Sequence, residues 1–526
     1  KYLFPIALAF FMQACSDDDD QIENTNTPNI QLSSSELIEG GEISSQLNPS
    51  GNAPLTAELE FRTKLPANIE ITVLGEIPVN KKFETNASSH QIPILGLYGG
   101  RTNQLVVKVS TSNGFSLDTL QITTDSLPSR LPKIEINSKN LSLMEEGMNL
   151  NTLSLSDGTL FQPYPLIYDH NGDIRWFLNL EGIYPGFVSP FERIANGNLL
   201  FESGTSIIEI DMMGREQKSV PLPPGYNSHH DVILLPNGNY LVAVNKVGAQ
   251  VMQNGNLMPS VEDFMIEVNG NTGALVEEWN FSQFLDVDRD DILNPISGSV
   301  SDWFHMNAVF YSPADDAFLA SGRNQGLVKV GRNNSLKWIL APKKGWGKAG
   351  FNGNGPETTP FLLTAVDNSG TPYDSLVQYG LESDPNFDWS WGQHAPLVLP
   401  NGNILIFDNG FNRQFGNSTN YSRAVEYKIN ESAMTVEEVW SYGKNRGEET
   451  FSSIISDVDY LSNTGNILFA PGIHFGPNYA KIVEVSRPGG IVVFEGTLSF
   501  KDERSTGAGF GQFDINYRAE RLTLYP

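Results

Sequence analysis

Between residues 29 and 126 apolar and polar positions alternate in short runs, "AELEFRT", "NIEITVL", "QLVVKVST" and "SLDTLQITT". Side chains of a strand point to opposite faces in turn, so this period of two predicts strands with one buried and one solvated face. Several such runs within about a hundred residues predict a small antiparallel β-sandwich over 29–126. Two prolines in "DSLPSRLPK" mark its end. Beyond them a single theme recurs: a strand, a tight turn, a second apolar strand, then a strand pair ending in an aromatic. It stands in "ERIANGNLLFES", "HDVILLPNGNYLVAVN", "MNAVFYSPADDAFLASG", "HAPLVLPNGNILIFDNG" and "SDVDYLSNTGNILFAPG", each with the strand pair that follows. A sixth unit has to be assembled from "LIYDHNGDIRWFLNL", its flanking strands and the C-terminal "RAERLTLYP".

Asn-Gly favours the type I′ hairpin because both central residues need positive φ. Six four-stranded units of about 65 residues predict an all-β fold, a six-bladed β-propeller over 133–526 behind the N-terminal sandwich. Closing the ring with the C-terminal strand in one blade with N-terminal strands would hide the sheet edges. In each unit the strand before the tight turn is expected to be innermost, with its start facing the central channel.

The histidines follow this repeat. His230 lies seven positions before Asn237, His394 seven before Asn401, and His305 seven before Ser312, where the third turn begins. Equal offsets predict equal height and equal pleat parity, so three blades aim an imidazole at one level of the channel. A lone histidine there reads as a structural residue bonded to a neighbouring blade; three at one offset point to a shared site. His229 has the opposite parity and is expected to face the blade body. His170, in a turn, and His90, in the sandwich, are expected at the surface, and His474 follows a strand that could approach the channel.

Three imidazoles fit a metal site or an anion site. Arg323, in "ASGRNQGLVKV" on the strand returning from His305, decides between them: a guanidinium repels a divalent cation and clamps an oxyanion. No metal and no cofactor are therefore expected. Trp303, Phe304, Trp389 and Trp391 flank the histidine motifs, where they either fill core between blades or sandwich an aromatic ring.

Charge and the N-terminus narrow the picture. A formal net charge of −27 argues against a nucleic-acid partner, which needs a basic footprint. "KYLFPIALAFFMQAC" reads as a secretion signal over 1–15, too short to span a membrane comfortably. Its end, with Cys15 the one cysteine of the chain, resembles a lipoprotein box, which makes Cys15 a candidate lipidation site. "SDDDDQIENTNTP" over 16–28 reads as an acidic flexible tether. The expected place is the cell envelope, anchored by lipid to the outer membrane on its periplasmic or outer face.

The set "SHHDVILLPNGNY", "DWFHMNAVFY", "SGRNQGLVKV" and "GQHAPLVLPNGNILIFDNG", on a propeller behind a sandwich, resembles the bacterial arylsulfate sulfotransferases. The resemblance implies transfer of a sulfuryl group from a phenolic sulfate ester to a phenol, through a sulfated histidine and by ping-pong kinetics. It implies His394 as the nucleophile, with His230, His305 and Arg323 around the sulfuryl oxygens and Asn307 as a further donor. A homodimer is compatible with this reading. Some members of the family carry a disulfide near the active site; with Cys15 as its one cysteine, this chain must hold the loop 412–422 another way. Two other classes remain open, a propeller lyase or hydrolase acting on anionic or sulfated polysaccharide and a non-catalytic binding propeller.

Overall fold

The computed structural model describes residues 30–289, 296–297, 299–476, 478–501 and 509–526. The expected signal with Cys15 and the tether over 16–28 lie outside the described residues.

The N-terminal region is built on two long strands, Ala57–Val73 and Val79–Ile94, whose apolar positions alternate into the core as the sequence pattern requires. Their neighbours change midway. The first half of Ala57–Val73 lies between Ser44–Leu47 and the end of Val79–Ile94. After register breaks at residues 62–67 and 67–69, its second half lies between Thr102–Thr111 and the start of Val79–Ile94. Strands that bend in this way pass between the layers of a sandwich. His90 does not lie at the surface as expected. It is buried, stacked on Phe61 at 4.9 Å, with Nε2 3.0 Å from Thr63 Oγ1. The alternation "SSHQIPI" places it on the inward face, where a satisfied imidazole is tolerated.

Among the described residues, six sheets of four or five strands follow. Their inner strands are Ser189–Arg193, Tyr226–Leu234, Met306–Ser312, His394–Val398, Asp457–Tyr460 and Ile515–Leu522. Each touches the next, and the last touches the first, so they line a central channel. The first five are the strands that precede the tight turns. The C-terminal strand Ile515–Leu522 pairs with Met148–Ser156, which closes the ring as anticipated. A second closure was not anticipated: Lys133–Lys139 is the outermost strand of the sheet that starts with Asp457–Tyr460, paired with Val492–Ser499.

Aromatic residues fill the space between sheets. Trp303, Phe304, Trp389 and Trp391 are all buried in this core. Phe304 stacks on Phe281 at 4.9 Å and leaves room for no Cβ at Gly322, where one would come within 2.1 Å of its ring. These four side chains therefore support the histidine strands from behind and do not sandwich a substrate ring.

Candidate active site

The three histidine strands share a local distortion. Ladder register breaks at residues 228–232, 306–308 and 394–397, and His230, His305 and Ala395 have positive φ of 63°, 54° and 49°. Such bulges bend a strand and re-aim its side chains, and left-handed backbone at non-glycine residues is concentrated at functional sites. The bulges gather the histidines. The rings of His230 and His305 are 5.2 Å apart, and His394 is close enough for the charge of Arg323 and the ring of His230 to act on it.

His229 departs from its expected place. It does not turn into the blade away from its neighbour. Its Nδ1 lies 3.0 Å from His230 Nδ1, and the carboxylate of Glu262 is near both. Pleat parity fails here because the bulge spans residues 229–231, and a strict period of two holds only for an unbroken ladder. His474 stacks on Tyr479 at 4.7 Å, and His170 is partly buried in its turn.

The imidazoles differ in charge. His394 is buried, and its Nδ1 lies 2.7 Å from Asn409 Oδ1 and 3.1 Å from Gly392 O. The Asn409 amide nitrogen donates to Ser452 O at 2.8 Å and Ile455 O at 2.9 Å, so its oxygen must face the ring and accept from Nδ1–H. His394 is thereby set with its proton on Nδ1, and Nε2 has no protein partner among the described residues. Burial holds its pKa well below the ordinary value; the bond to Asn409 opposes this, and Arg323 adds to it. Burial likewise brings His230 down to about 3.

His305 is the opposite case. Its Nδ1 is 2.6 Å from Asp302 Oδ2 and 2.9 Å from Glu262 Oε2. Against the cost of burial, Glu262 and then Asp302 push its pKa up to about 10. His305 is an imidazolium at neutral pH, flanked by two neutral histidines.

Arg323 returns to this level as the hairpin predicted: its backbone N–H donates to His305 O at 3.0 Å. Its guanidinium makes no hydrogen bond or ion pair among the described residues, and its buried Nε is unpartnered. The ring of Phe411 lies 5.7 Å from it. Asn307 donates to Gln393 O at 2.9 Å, tying its strand to the residue before His394, and its Oδ1 is unpartnered. Two triads have ligating atoms within 4.8 Å of one another: His229, His230 and Glu262; and Glu262, Asp302 and His305. A divalent cation there would meet the His305 imidazolium and the field of Arg323, which acts on the same acids.

On the far side of the bulges the channel holds a cavity of about 550 Å³ lined by residues of all six inner strands, among them Asp231, Asp457 and Arg518. Arg518 bridges Asp457 at 3.1 Å and Asp231 at 3.5 Å. Glu192 and Asp459 line it too, both raised to about 7 by burial and neighbouring acids. With Arg518 paired to two acids, this acid-rich end offers an anion nothing comparable to Arg323.

The family described as Arylsulfotransferase (ASST) matches residues 133–507, and the Arylsulfotransferase Ig-like domain matches residues 44–126. The chain belongs to the arylsulfotransferase family. It is similar to the arylsulfate sulfotransferase AssT of Escherichia coli O6:H1, at 27% identity over 84% of this chain and 87% of that protein. The protein of the same name from Lelliottia amnigena is 26% identical over the same shares. Among solved structures, a 6-phosphogluconolactonase-like protein from Bacteroides fragilis covers 87% of this chain and 98% of its own, at 9% identity and a TM-score of 0.33. The periplasmic gluconolactonase of Pseudomonas aeruginosa covers 82% and 96%, at 10% identity and a TM-score of 0.31. These last two likenesses are too distant to bear on the site.

Within this arylsulfotransferase the loop 412–422 is held by charge. Arg413 reaches Asp388 at 2.8 Å, Asp408 at 2.9 Å and Tyr421 O at 3.0 Å, and the Tyr421 hydroxyl donates to Asp388 at 2.9 Å. Gly410 makes the approach possible, since a Cβ there would lie 1.8 Å from Tyr421 O. Sequence reasoning missed Glu262, Asp302 and Asn409. The one signal for Asn409 was its place in "FDNG", just past the end of the strand that pairs back on His394; nothing in the sequence marked Glu262.

Proposed function

We propose that this chain moves a sulfuryl group from an aryl sulfate ester to a phenol in two displacements, through a sulfated His394. One observation carries the reading: a neutral imidazole with Nε2 free lies within electrostatic reach of a guanidinium that has no ion-pair partner among the described residues. A charged group without a partner in a partly buried site is matched by an anionic ligand, and the sulfate group of an aryl ester supplies that charge.

In the first displacement the His394 Nε2 lone pair attacks sulfur while the bond from sulfur to the aryl oxygen breaks and its electron pair leaves with the oxygen. Arg323 bonds the sulfuryl oxygens, and His230 adds an N–H, with His229 donating to its Nδ1. The departing phenoxide takes the proton on His305 Nε2. A pKa of about 10 for His305 lies close to that of a phenol, about 10, so the proton passes with little driving force either way. In the second displacement His305 takes the proton back from the acceptor phenol, whose oxygen attacks sulfur and releases His394. Asn409 accepts from Nδ1–H throughout, so the nucleophile keeps one tautomer. Among the three histidines His394 is favoured as nucleophile because at neutral pH His305 has no lone pair to offer and the lone pair of His230, on Nδ1, accepts from His229.

Incubation with a chromogenic aryl sulfate, with and without phenol, tests the reaction class. Sustained release that needs the phenol supports transfer; equal release in water alone means a sulfatase; no release means a binding protein. Without acceptor, mass spectrometry is expected to find one SO₃ on the peptide bearing His394 and none in His394→Asn. A label on the His230 or His305 peptide would move the nucleophile, and transfer with no label at all would refute the covalent route.

A further inference from the structure

Six aromatic rings run in unbroken contact from the histidine cluster to the protein surface. Phe187 lies 5.8 Å from the His230 ring and 4.9 Å from Tyr517. Phe510 follows at 5.4 Å from Phe187 and packs on Phe161 at 4.8 Å. Phe161 contacts Phe513 at 6.2 Å, and Phe475 closes the row 5.1 Å from Phe513. The rings at the base of this wall are buried, with Phe161, Phe513 and Tyr517 at 2%, 4% and 1% exposure. Those at its rim are not: Phe510 is 55% exposed and Phe475 49%.

The wall divides into two seats. Phe187 is the ring nearest the cluster, so a phenol whose oxygen is at the cluster meets it first; Phe510 lies one ring beyond Phe187, and Phe475 one beyond Phe513. The rim rings are one further ring step out, and their faces are open to solvent. Scattered exposed phenylalanines call for no explanation, but two on one continuous aromatic path into a site do. The occupant that fits is flat, apolar and attached to the reacting ring. A polysaccharide would need free hydrogen-bonding groups, and the one hydroxyl of these six rings, on Tyr517, already donates to Asn307 O at 3.1 Å; offset or edge-to-face contacts between rings are what a second aromatic ring makes.

We infer that Phe510 and Phe475, on the base of Phe161 and Phe513, form an outer aromatic seat that selects phenols carrying a second, conjugated ring over single-ring phenols. The inference rests on the sulfotransfer reading for its readout, and deepens it by naming an acceptor class. Each rim ring gives the second ring one aromatic contact and some buried area, so a loss near tenfold is expected for each.

The test compares 4-phenylphenol with phenol as acceptors of sulfate from one chromogenic donor, in the wild type, Phe510→Ala and Phe475→Ala. The preference for 4-phenylphenol, read as the ratio of the two kcat/KM values, is expected to fall about tenfold in each variant, in KM more than in kcat. A ratio that does not move, or a wild type with no preference, would overturn the seat. So would a change of oligomeric state in the variants by light scattering, which would make the rim a contact between copies. Because a ratio within one variant cancels losses of folded protein, a partly unfolded variant still reports the preference. If the wild type sulfates neither phenol, the sulfotransfer reading has failed, and calorimetric binding of 4-phenylphenol tests the seat by itself: weakened binding in Phe510→Ala supports it, and equal binding refutes it.

Discussion

Arg413 packs on Tyr421 and Arg323 on Phe411, and the protein treats the two arginines in opposite ways. Arg413 and its neighbour Arg423 are buried with carboxylates on every side: Asp388 and Asp408 for the first, Asp408 and Glu438, at 2.7 and 2.8 Å, for the second. Burial opposes their charge, but the acids around them raise both pKa values. Arg323 is given no such partner, and burial lowers its pKa from the ordinary value, with Asp302 and Glu262 opposing. A guanidinium remains charged in either case. The first pair spends its charge on holding a loop; Arg323 keeps its charge for something that is not protein. Buried charges are normally paired, so a guanidinium without a single hydrogen bond or ion pair among the described residues marks the site.

The largest expected effect breaks the first half of that comparison. Arg413→Met leaves Asp388 short of a partner and should cost about 3–5 kcal/mol of stability, read by urea unfolding. An unchanged midpoint would mean that the loop is held by other contacts. Arg323→Met should do the reverse. Turnover is expected to drop about 10²–10³-fold, as for a lost oxyanion donor, with no loss of melting temperature. If the variant melts early with its specific activity intact, Arg323 is structural.

Two smaller effects sharpen the contrast between the neutral and the charged histidine. In Asn409→Leu the Nδ1–H of His394 loses its acceptor and the ring its fixed tautomer. A rate loss of about 10–100-fold is expected, while a donor ester with a better phenoxide leaving group should not restore it. Restoration would place Asn409's effect on proton transfer to the phenoxide. The smallest effect is on pH. His305 holds its proton below a pKa of about 10, so kcat/KM should be level through neutral pH and fall as pH rises through that value. Glu262→Gln removes the strongest influence raising that pKa, and the alkaline limb should move to lower pH. A limb that stays in place would mean that another group loses the proton.

The fold was readable because the propeller repeats itself. Tight turns at "PNGN", "ANGN" and "SNTGN" announce the same strand pair, and period-two alternation tells inner face from outer. The address of the histidines was readable for the same reason, since His230, His305 and His394 stand at one offset from those turns. His229 is the exception, because left-handed backbone at His230 breaks the alternation on which parity depends. The tryptophans were ambiguous in the sequence because the same apolar side chain serves a core and a ring-binding wall equally well. Their burial placed them in the core, and the exposed rim at Phe475 and Phe510 lies in segments that carry no motif.

The sequence by itself determined the architecture, the level of three imidazoles in the channel and the return of Arg323 beside them. These depend on periodicity and on contacts between neighbours in the chain. Only the tertiary structure decided that His305 is charged and His394 is not. That difference comes from Glu262, which lies 43 positions before His305, and from Asn409, which is fixed in turn by carbonyls at 452 and 455. A histidine's charge is set by the burial and the partners around its ring, and those arrive from segments whose meeting no local pattern records.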